Sequence, residues 1–240
     1  MIAAERLTRR FGATIAVDAL SFVAPDGAIT GLLGANGAGK STTLRMLATV
    51  LRPDDGRALI DRCDTAIDAL GARAGLGVLP AVSGIYRELT ARENVRYFGR
   101  LQGLKGAALE RRLDELFSRL ELEDCAARRG RELSHGQRVK VGLARALVHA
   151  PRNVVLDEPT NGLDVLAIRS LRELLRELRG AGHCVLFSSH VLSEVSELCD
   201  RVVVIARGRV VAEGAPGELA RAHGASLESA FLAAVRDRAP

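Results

Sequence analysis

Aromatic side chains make up only 3% of the 240 residues, and tryptophan is absent. The stacking platforms of a single-strand nucleic-acid binder are therefore missing, and nucleic acid is excluded as a partner despite a formal net charge of +5. Lysine is scarce as well. Lys40, Lys105 and Lys140 are the only three, so the positive charge is arginine spread along the chain, as on solvated helix faces and at phosphate contacts. Cys63, Cys125, Cys184 and Cys199 stand far apart with no C-x-x-C spacing. That pattern argues against a zinc site and a disulfide framework, and for buried, reduced thiols. No apolar run has the length of a membrane span, and the first residues lack the apolar stretch of a signal peptide, so the chain is expected to stay in the cytosol. No internal repeat and no low-complexity linker interrupts it.

What remains is an ordinary globular composition, 48% hydrophobic and 26% charged, long enough for one large domain or a domain with a sizeable insertion. Its organising stretch is Gly34-Ala35-Asn36-Gly37-Ala38-Gly39-Lys40-Ser41-Thr42, which fits G-x-x-x-x-G-K-[ST]. The apolar run Ile29 to Leu33 precedes it and the helical pattern Leu44, Met46, Leu47, Val50 comes after, which is the strand–turn–helix setting this motif requires. Gly34, Gly37 and Gly39 permit backbone angles and close approaches that a Cβ blocks, so successive N–H groups converge on anionic oxygens at a helix start. Lys40 supplies a point charge for the outer phosphates, and the Ser41 hydroxyl is placed to ligate Mg²⁺. A nucleoside triphosphate is the ligand this stretch predicts.

Residues 2 to 33 alternate around turn signals at Gly12 and Pro25-Asp26-Gly27, as antiparallel strands do. Phe11 is open between two readings, a ring stacked on adenine and an edge aromatic. Short strands are expected at Arg57 to Ile60 and at Val78-Leu79. A helical region then runs from Leu89 to Leu104 and from Leu109 to Leu122, where Leu109, Leu113, Leu116, Phe117 and Leu120 keep helical spacing. Ser134-His135-Gly136-Gln137 has the form of a capping box, with Ser134 as N-cap of a helix to about His149, and Gly136 leaves the helix's positive end open to a second anion. Val154-Val155-Leu156-Asp157-Glu158 is an apolar strand that ends in two carboxylates. Neighbouring strand residues face opposite ways, so the two acids must do different work. Asp157 suits the Mg²⁺ shell and Glu158 a general base acting on water. A helix is expected from Ile168 to Leu178, with Arg169 and Glu173 paired one turn apart. The strand Cys184 to Phe187 delivers Ser188-Ser189-His190 to its C-terminal edge, where ligands of parallel α/β sheets collect. His135, His149, His183 and His223 read as surface or loop residues. After a helix from Val191 to about Cys199, strands at Arg201 to Ala206 and Val210 to Ala212 flank a turn at Arg207-Gly208-Arg209. Gly214 to Pro240 is Ala-rich and helical in character.

Taken together, these motifs resemble the nucleotide-binding domain of ABC transporters, over nearly the whole chain. Residues 34 to 42 look like its Walker A loop, Leu133-Ser134-His135-Gly136-Gln137 like its signature motif, and 154 to 158 like its Walker B strand. Asn161 to Asp164 is similar to the D-loop, His190 to the switch histidine and Phe11 to the adenine-stacking aromatic. Within the superfamily, Leu89-Thr90-Ala91-Arg92-Glu93-Asn94, Asn161-Gly162-Leu163-Asp164 and Leu186-Phe187-Ser188-Ser189-His190 look like the ATPase subunits of ABC-2-type exporters, and most closely the bacterial sodium-exporting Nat-type ATPase.

The resemblance implies a single α/β domain over residues 1–240. Its parts are a P-loop NTPase (RecA-like) core, an antiparallel β subdomain, an inserted α-helical subdomain at about 88–150 and a short helical tail at about 215–240. It also implies ATP and Mg²⁺ as cofactors. Two copies, as a homodimer or pseudo-dimer, would enclose two ATP, each held between residues 34–42 of one copy and Ser134, Gly136 and Gln137 of the other, with Asp164 at the joint. Glu158 would orient water and His190 would contact the γ-phosphate. An integral-membrane permease is the implied partner, met near Tyr86 to Phe98, which makes the chain cytoplasmic and peripheral on the inner face of the cell membrane. Sodium is the cargo suggested; a drug, lipid or polysaccharide exporter and a non-transport ABC ATPase are the alternatives. Two positions depart from the family. The glutamine usual five residues before the aromatic Tyr86 is Ala81, and the signature's first glycine is His135.

Overall fold

The computed structural model of the protein describes residues 1–82, 84–222, 226, 228, 229 and 231. Strands β1 (Ile2–Phe11) and β2 (Thr14–Ala24) form a hairpin, and β4 (Asp55–Ile60) pairs on the other side of β1, with the short β5 (Cys63–Asp64) at the edge. All pairings in this four-stranded sheet are antiparallel. A second sheet runs in the order β10-β9-β3-β8-β7-β6, from β3 (Ile29–Leu33), β6 (Leu76–Leu79), β7 (Asn153–Asp157), β8 (Cys184–Ser189), β9 (Arg201–Ala206) and β10 (Arg209–Gly214). Its pairings are parallel except for β10 against β9.

The alternation over residues 2 to 33 predicts antiparallel strands throughout; β3 departs from it. All five β3 residues are buried, and the strand lies parallel between β8 and β9. A strand covered on both faces reads as a continuous apolar run, not as an alternation. The two faces build two cores. Leu33, Leu156, Phe187 and Val204 face one, and Leu32, Val155, Leu186 and Val203 face the other. The first core is closed by α3 (Ala91–Leu101), α4 (Gly106–Arg119), α5 (His135–Leu147), α6 (Val165–Gly180) and α7 (Leu192–Leu198), and the second by α1 (Lys40–Leu47) and the antiparallel sheet.

The helix from 109 to 122 begins at Gly106 and ends at Arg119, and α6 starts three residues before the apolar periodicity does, because Asp164 caps it by accepting from the Ala167 N–H at 2.8 Å. Helix α2 (Ala69–Ala74) has a single buried residue, Ala72, too little for a periodic signal. Cys125, Cys184 and Cys199 are buried free thiols, and Cys63 is half-buried. Burial pushes the Cys184 thiol up to about 12 and raises Cys199 as well, so both are inert at neutral pH. Two of the histidines read as surface or loop residues, His149 and His183, lie between elements. His149 is half-buried with Nε2 at 3.2 Å from the Leu76 carbonyl, and burial lowers its pKa; His183 is half-buried with Nδ1 at 2.8 Å from the Pro151 carbonyl. Of the C-terminal tail, α8 (Pro216–Ala222) is described, while His223 and most of 223–240 lie outside the described residues.

Candidate active site

The parallel strands β3, β7 and β8 end side by side, with Asp157 in register with Ser188 and Leu33 with Ser189. The loops that leave these three strands therefore meet at one edge. The loop after β3 turns through Gly37 at φ +80 and Gly39 at φ +108 into α1. A Cβ on Gly39 would lie 2.6 Å from the Ala16 carbonyl oxygen, and one on Gly34 would lie 2.5 Å from that of Ile205. The loop is thus clamped between β2 and β9, and the Gly208 N–H adds a 2.8 Å bond to the Ala38 carbonyl. Ala35, Asn36 and Gly37 stay exposed at its tip. No side chain caps α1, which leaves the N–H groups of its first turn, at Ser41 and Thr42, facing outward for an anion.

Lys40 is 4% exposed, and its Nζ donates to the carbonyls of Gly34 at 2.7 Å and Ala35 at 3.2 Å. The same amine stands 3.6 Å from Glu158 Oε1. Glu158 is also 3.2 Å from His190 Nδ1, so one carboxylate oxygen faces both the loop lysine and the histidine after β8. Asp157 points elsewhere. Its Oδ1 accepts from Ser41 Oγ at 3.2 Å and from Ser188 Oγ at 2.6 Å.

The two acids diverge as strand alternation predicts, but the strand stops between them. Glu158 has left-handed backbone, φ 48, and its N–H donates to Ser188 Oγ at 2.9 Å. A non-glycine residue in that conformation costs free energy, which the bond helps to offset. Ser188 therefore fixes both acids, one through its carboxylate and one through its amide. The sequence places Ser188 at this edge without revealing the double bond, since two hydroxyls in a row at a strand end carry no directional signal.

Among the described residues no three His, Cys, Asp or Glu side chains gather as a metal site. Ser41 and Asp157 offer two hard oxygen donors, which suits Mg²⁺, an ion that keeps water or phosphate oxygens in its remaining positions. Ala81 lines the cleft beside Asp157 and Glu158 together with His135 and Asn161. At position 81, where the resemblance implies a glutamine, the cleft is lined by a methyl group.

Other candidates make no hydrogen bond or ion pair with the Lys40 cluster among the described residues. Ser134 and Gln137 close a reciprocal capping box on α5, with the Ser134 N–H donating to Gln137 Oε1 at 2.9 Å and the Gln137 N–H to Ser134 Oγ at 3.2 Å. A Cβ at Gly136 would meet only Leu163, at an ordinary 3.7 Å. His135 packs against Gly162, and its Nε2 donates to the Asn161 carbonyl at 2.9 Å. Phe11 is 49% exposed at the end of β1, with the Arg9 guanidinium 5.1 Å over its ring.

The profile of the ABC transporter family matches residues 17–161. The chain is 41% identical over 201 residues to the ABC transporter ATP-binding protein NatA of Bacillus subtilis, covering 83% of this chain and 82% of the relative. It is 40% identical over 221 residues to the Nod factor export ATP-binding protein I of Ralstonia nicotianae, covering 91% and 68%. A solved ATP-binding subunit of an ABC transporter superposes with a TM-score of 0.90 at 30% identity, over 98% of this chain and 99% of that one. A dimeric bacterial ABC transporter cassette superposes with a TM-score of 0.82 at 25% identity, over 90% and 98%.

Proposed function

The chain belongs to the ABC transporter ATP-binding family, and from that premise we propose that the edge formed by β3, β7 and β8 is where it hydrolyses ATP to drive a separate membrane permease. It is an ATP hydrolase and the ATPase subunit of an exporter-type transporter. The observation that carries the assignment of residues is Glu158, whose one oxygen lies 3.6 Å from Lys40 Nζ and 3.2 Å from His190 Nδ1.

Residues Gly34 to Thr42 bind the polyphosphate. The N–H groups of the loop and of α1 take its oxygens, and Lys40 exchanges its carbonyl partners for the outer phosphates. Ser41 and Asp157 hold Mg²⁺, which when bound neutralises charge that builds on the phosphate oxygens. Glu158 accepts a hydrogen bond from the attacking water and orients it, held in place by the Ser188 contact to its amide. His190 is 45% exposed beside it, positioned to donate to the outer phosphate. Phe11, exposed at the hairpin end, supplies a face for adenine.

The second half of each site comes from another copy. Ser134, Gly136 and Gln137 sit at the positive end of α5, and intrachain packing does not demand a glycine at 136. Asp164, the cap of α6, holds the segment 161–164 at the joint between copies. The permease meets the chain around Tyr86, Tyr97 and Phe98, whose rings pack together with Tyr86 and Tyr97 nearly half exposed. No helix among the described residues is long and apolar enough to cross a membrane. In this reading the subunit works as a dimer, peripheral on the cytoplasmic face. Sodium is the proposed cargo, on the resemblance carried by residues 89–94, 161–164 and 186–190. Export of a Nod factor is the second reading, favoured by 40% identity to the Nod factor export ATP-binding protein I.

Glu158→Gln tests the assignment. It keeps the shape and removes the base, so turnover is expected to fall by about a hundredfold or more while ATP still binds. ATPase rates beside calorimetric ATP titration measure both. Normal turnover in Glu158→Gln would exclude Glu158 as the residue that orients water. Cargo is read separately, from ATP-dependent sodium uptake into inverted vesicles carrying the subunit with its permease.

A further inference from the structure

Glu194 is a carboxylate with no part in the hydrolytic chemistry of Glu158 and His190. It lies in the first turn of α7, is 7% exposed, and precedes the core residues Val195 and Leu198 on the helix. Its Oε2 accepts two hydrogen bonds of 2.9 Å, from Thr160 Oγ1 and from Ser189 Oγ. Both donors are hydroxyls and neither is a cation, so burying this charge costs free energy that the bonds offset only in part. Stability alone would favour an apolar side chain on this face.

The donors supply the reason for an acid. Thr160 comes two residues after Glu158, in the loop after β7. Ser189 is the last residue of β8 and directly precedes His190, and its Oγ also accepts the Val191 N–H at 2.9 Å, so that one hydroxyl brackets the histidine. One oxygen of Glu194 therefore joins the loop after β7 to the end of β8, the two places whose side chains meet at 3.2 Å as Glu158 Oε1 and His190 Nδ1. Each loop starts from a rigid strand, so a fixed point two residues beyond Glu158 and one before His190 leaves little freedom between them. A single acceptor shared by two donors does this better than two separate bonds, because the loop after β7 is then tied directly to the strand end that carries His190.

We propose that Glu194 is a positioning residue that sets the separation of Glu158 and His190 by strapping the loop after β7 to the end of β8, from which His190 follows. The strap rests on the assignment of Glu158 and His190 as the hydrolytic pair.

Thr160→Val and Thr160→Ser make the test, since the first keeps the shape and loses the hydroxyl while the second keeps the hydroxyl. Thr160→Val is expected to lower kcat by about tenfold to a hundredfold, the usual effect of a small misplacement of reacting groups. The Kd for ATP stays unchanged, because Lys40 and its loop are untouched, and Thr160→Ser restores the rate. In nucleotide-free protein, amide exchange at Val191 quickens severalfold in Thr160→Val, although Thr160 does not touch Val191. Glu194→Gln, which removes the charge, lowers kcat in the same sense. Wild-type turnover in Thr160→Val, failure of Thr160→Ser to restore it, a parallel loss of ATP affinity, or unchanged exchange at Val191 would each overturn the strap. Glu158→Gln and His190→Ala run beside them separate the two levels. If either of these turns over normally, the assignment of the pair fails; if both are slow while Thr160→Val is not, only the strap fails.

Discussion

Asn94 is fully buried, and its side chain closes the loop that leads into its own helix. Its Oδ1 accepts from the Tyr86 N–H at 2.8 Å, and its Nδ2 donates to the carbonyls of Tyr86 at 3.0 Å, Leu89 at 3.2 Å and Thr90 at 2.9 Å. A buried amide with several partners is costly to remove, because each backbone group left behind has lost water as well as its bond. Asn94→Ala is expected to cost about 2–4 kcal/mol in urea unfolding, with ATP affinity unchanged, since the loop at 34–42 lies in another part of the fold. In the sequence Asn94 appears only as the last residue of a familiar string; nothing in its neighbours tells that it is buried. Glu194 is hidden in the same way. An acid inside an apolar helix pattern reads as a solvent-facing position, and only the fold brings Thr160 and Ser189 to it. Lys40 is more legible through its glycine-rich motif, and Asp157, Glu158 and His190 through the apolar runs they follow, whose ends parallel strands deliver to one edge.

Helices declare their starts through capping chemistry, and their directions of packing through charge. The Ser134 box is readable in the sequence, and so is Thr90 with Glu93 three residues on, which closes a second box. The start of α6 is not, since Val165 and Leu166 are 82% and 76% exposed and break the inward pattern. The direction of β3 is likewise invisible, because a five-residue apolar run fits either a parallel or an antiparallel place. The α3–α4 contact is held by charge. Arg96 Nε donates to Glu110 Oε1 at 2.8 Å and Arg92 to Oε2 at 2.9 Å, and these bonds hold the Glu110 carboxyl at about 2 against an ordinary 4.5. The folded pKa lies below the unfolded one, so the contribution is whole above about 4.5 and is lost as the pH falls through about 2. Glu110 is 44% exposed, which limits it to about 1 kcal/mol after solvent screening. Glu110→Gln should therefore be less stable than the parent at neutral pH by about that amount and should lose less stability on acidification, as read from urea midpoints at a series of acid pH values.

At the scale of the whole molecule, several surfaces are better explained by a second copy than by the chain's own packing. Val165 and Leu166 leave apolar side chains in solvent beside the segment 161–164. The N-terminal end of α5 carries Gly136, where an added Cβ would meet only Leu163. Glycine in a helix costs roughly 0.5–1 kcal/mol relative to alanine, so a glycine kept where packing permits more has a use outside the fold. That use, in the proposed dimer, is the approach of the nucleotide held by the opposite copy. Binding through a joint that only ATP completes links assembly to nucleotide, and ligand at a hundred times its dissociation constant stabilises the joined state by about 2.7 kcal/mol. The Glu158→Gln protein should thus sediment as a dimer with ATP and as a monomer without it. Gly136→Ala in that background should dimerise more weakly with ATP while its thermal midpoint without nucleotide stays at or above that of Glu158→Gln, since the added Cβ meets only Leu163 within its own chain, at an ordinary 3.7 Å. A dimer of undiminished affinity in the doubly substituted protein would mean that the end of α5 lies away from the joint, and the two halves of the site would have to be sought within a single copy.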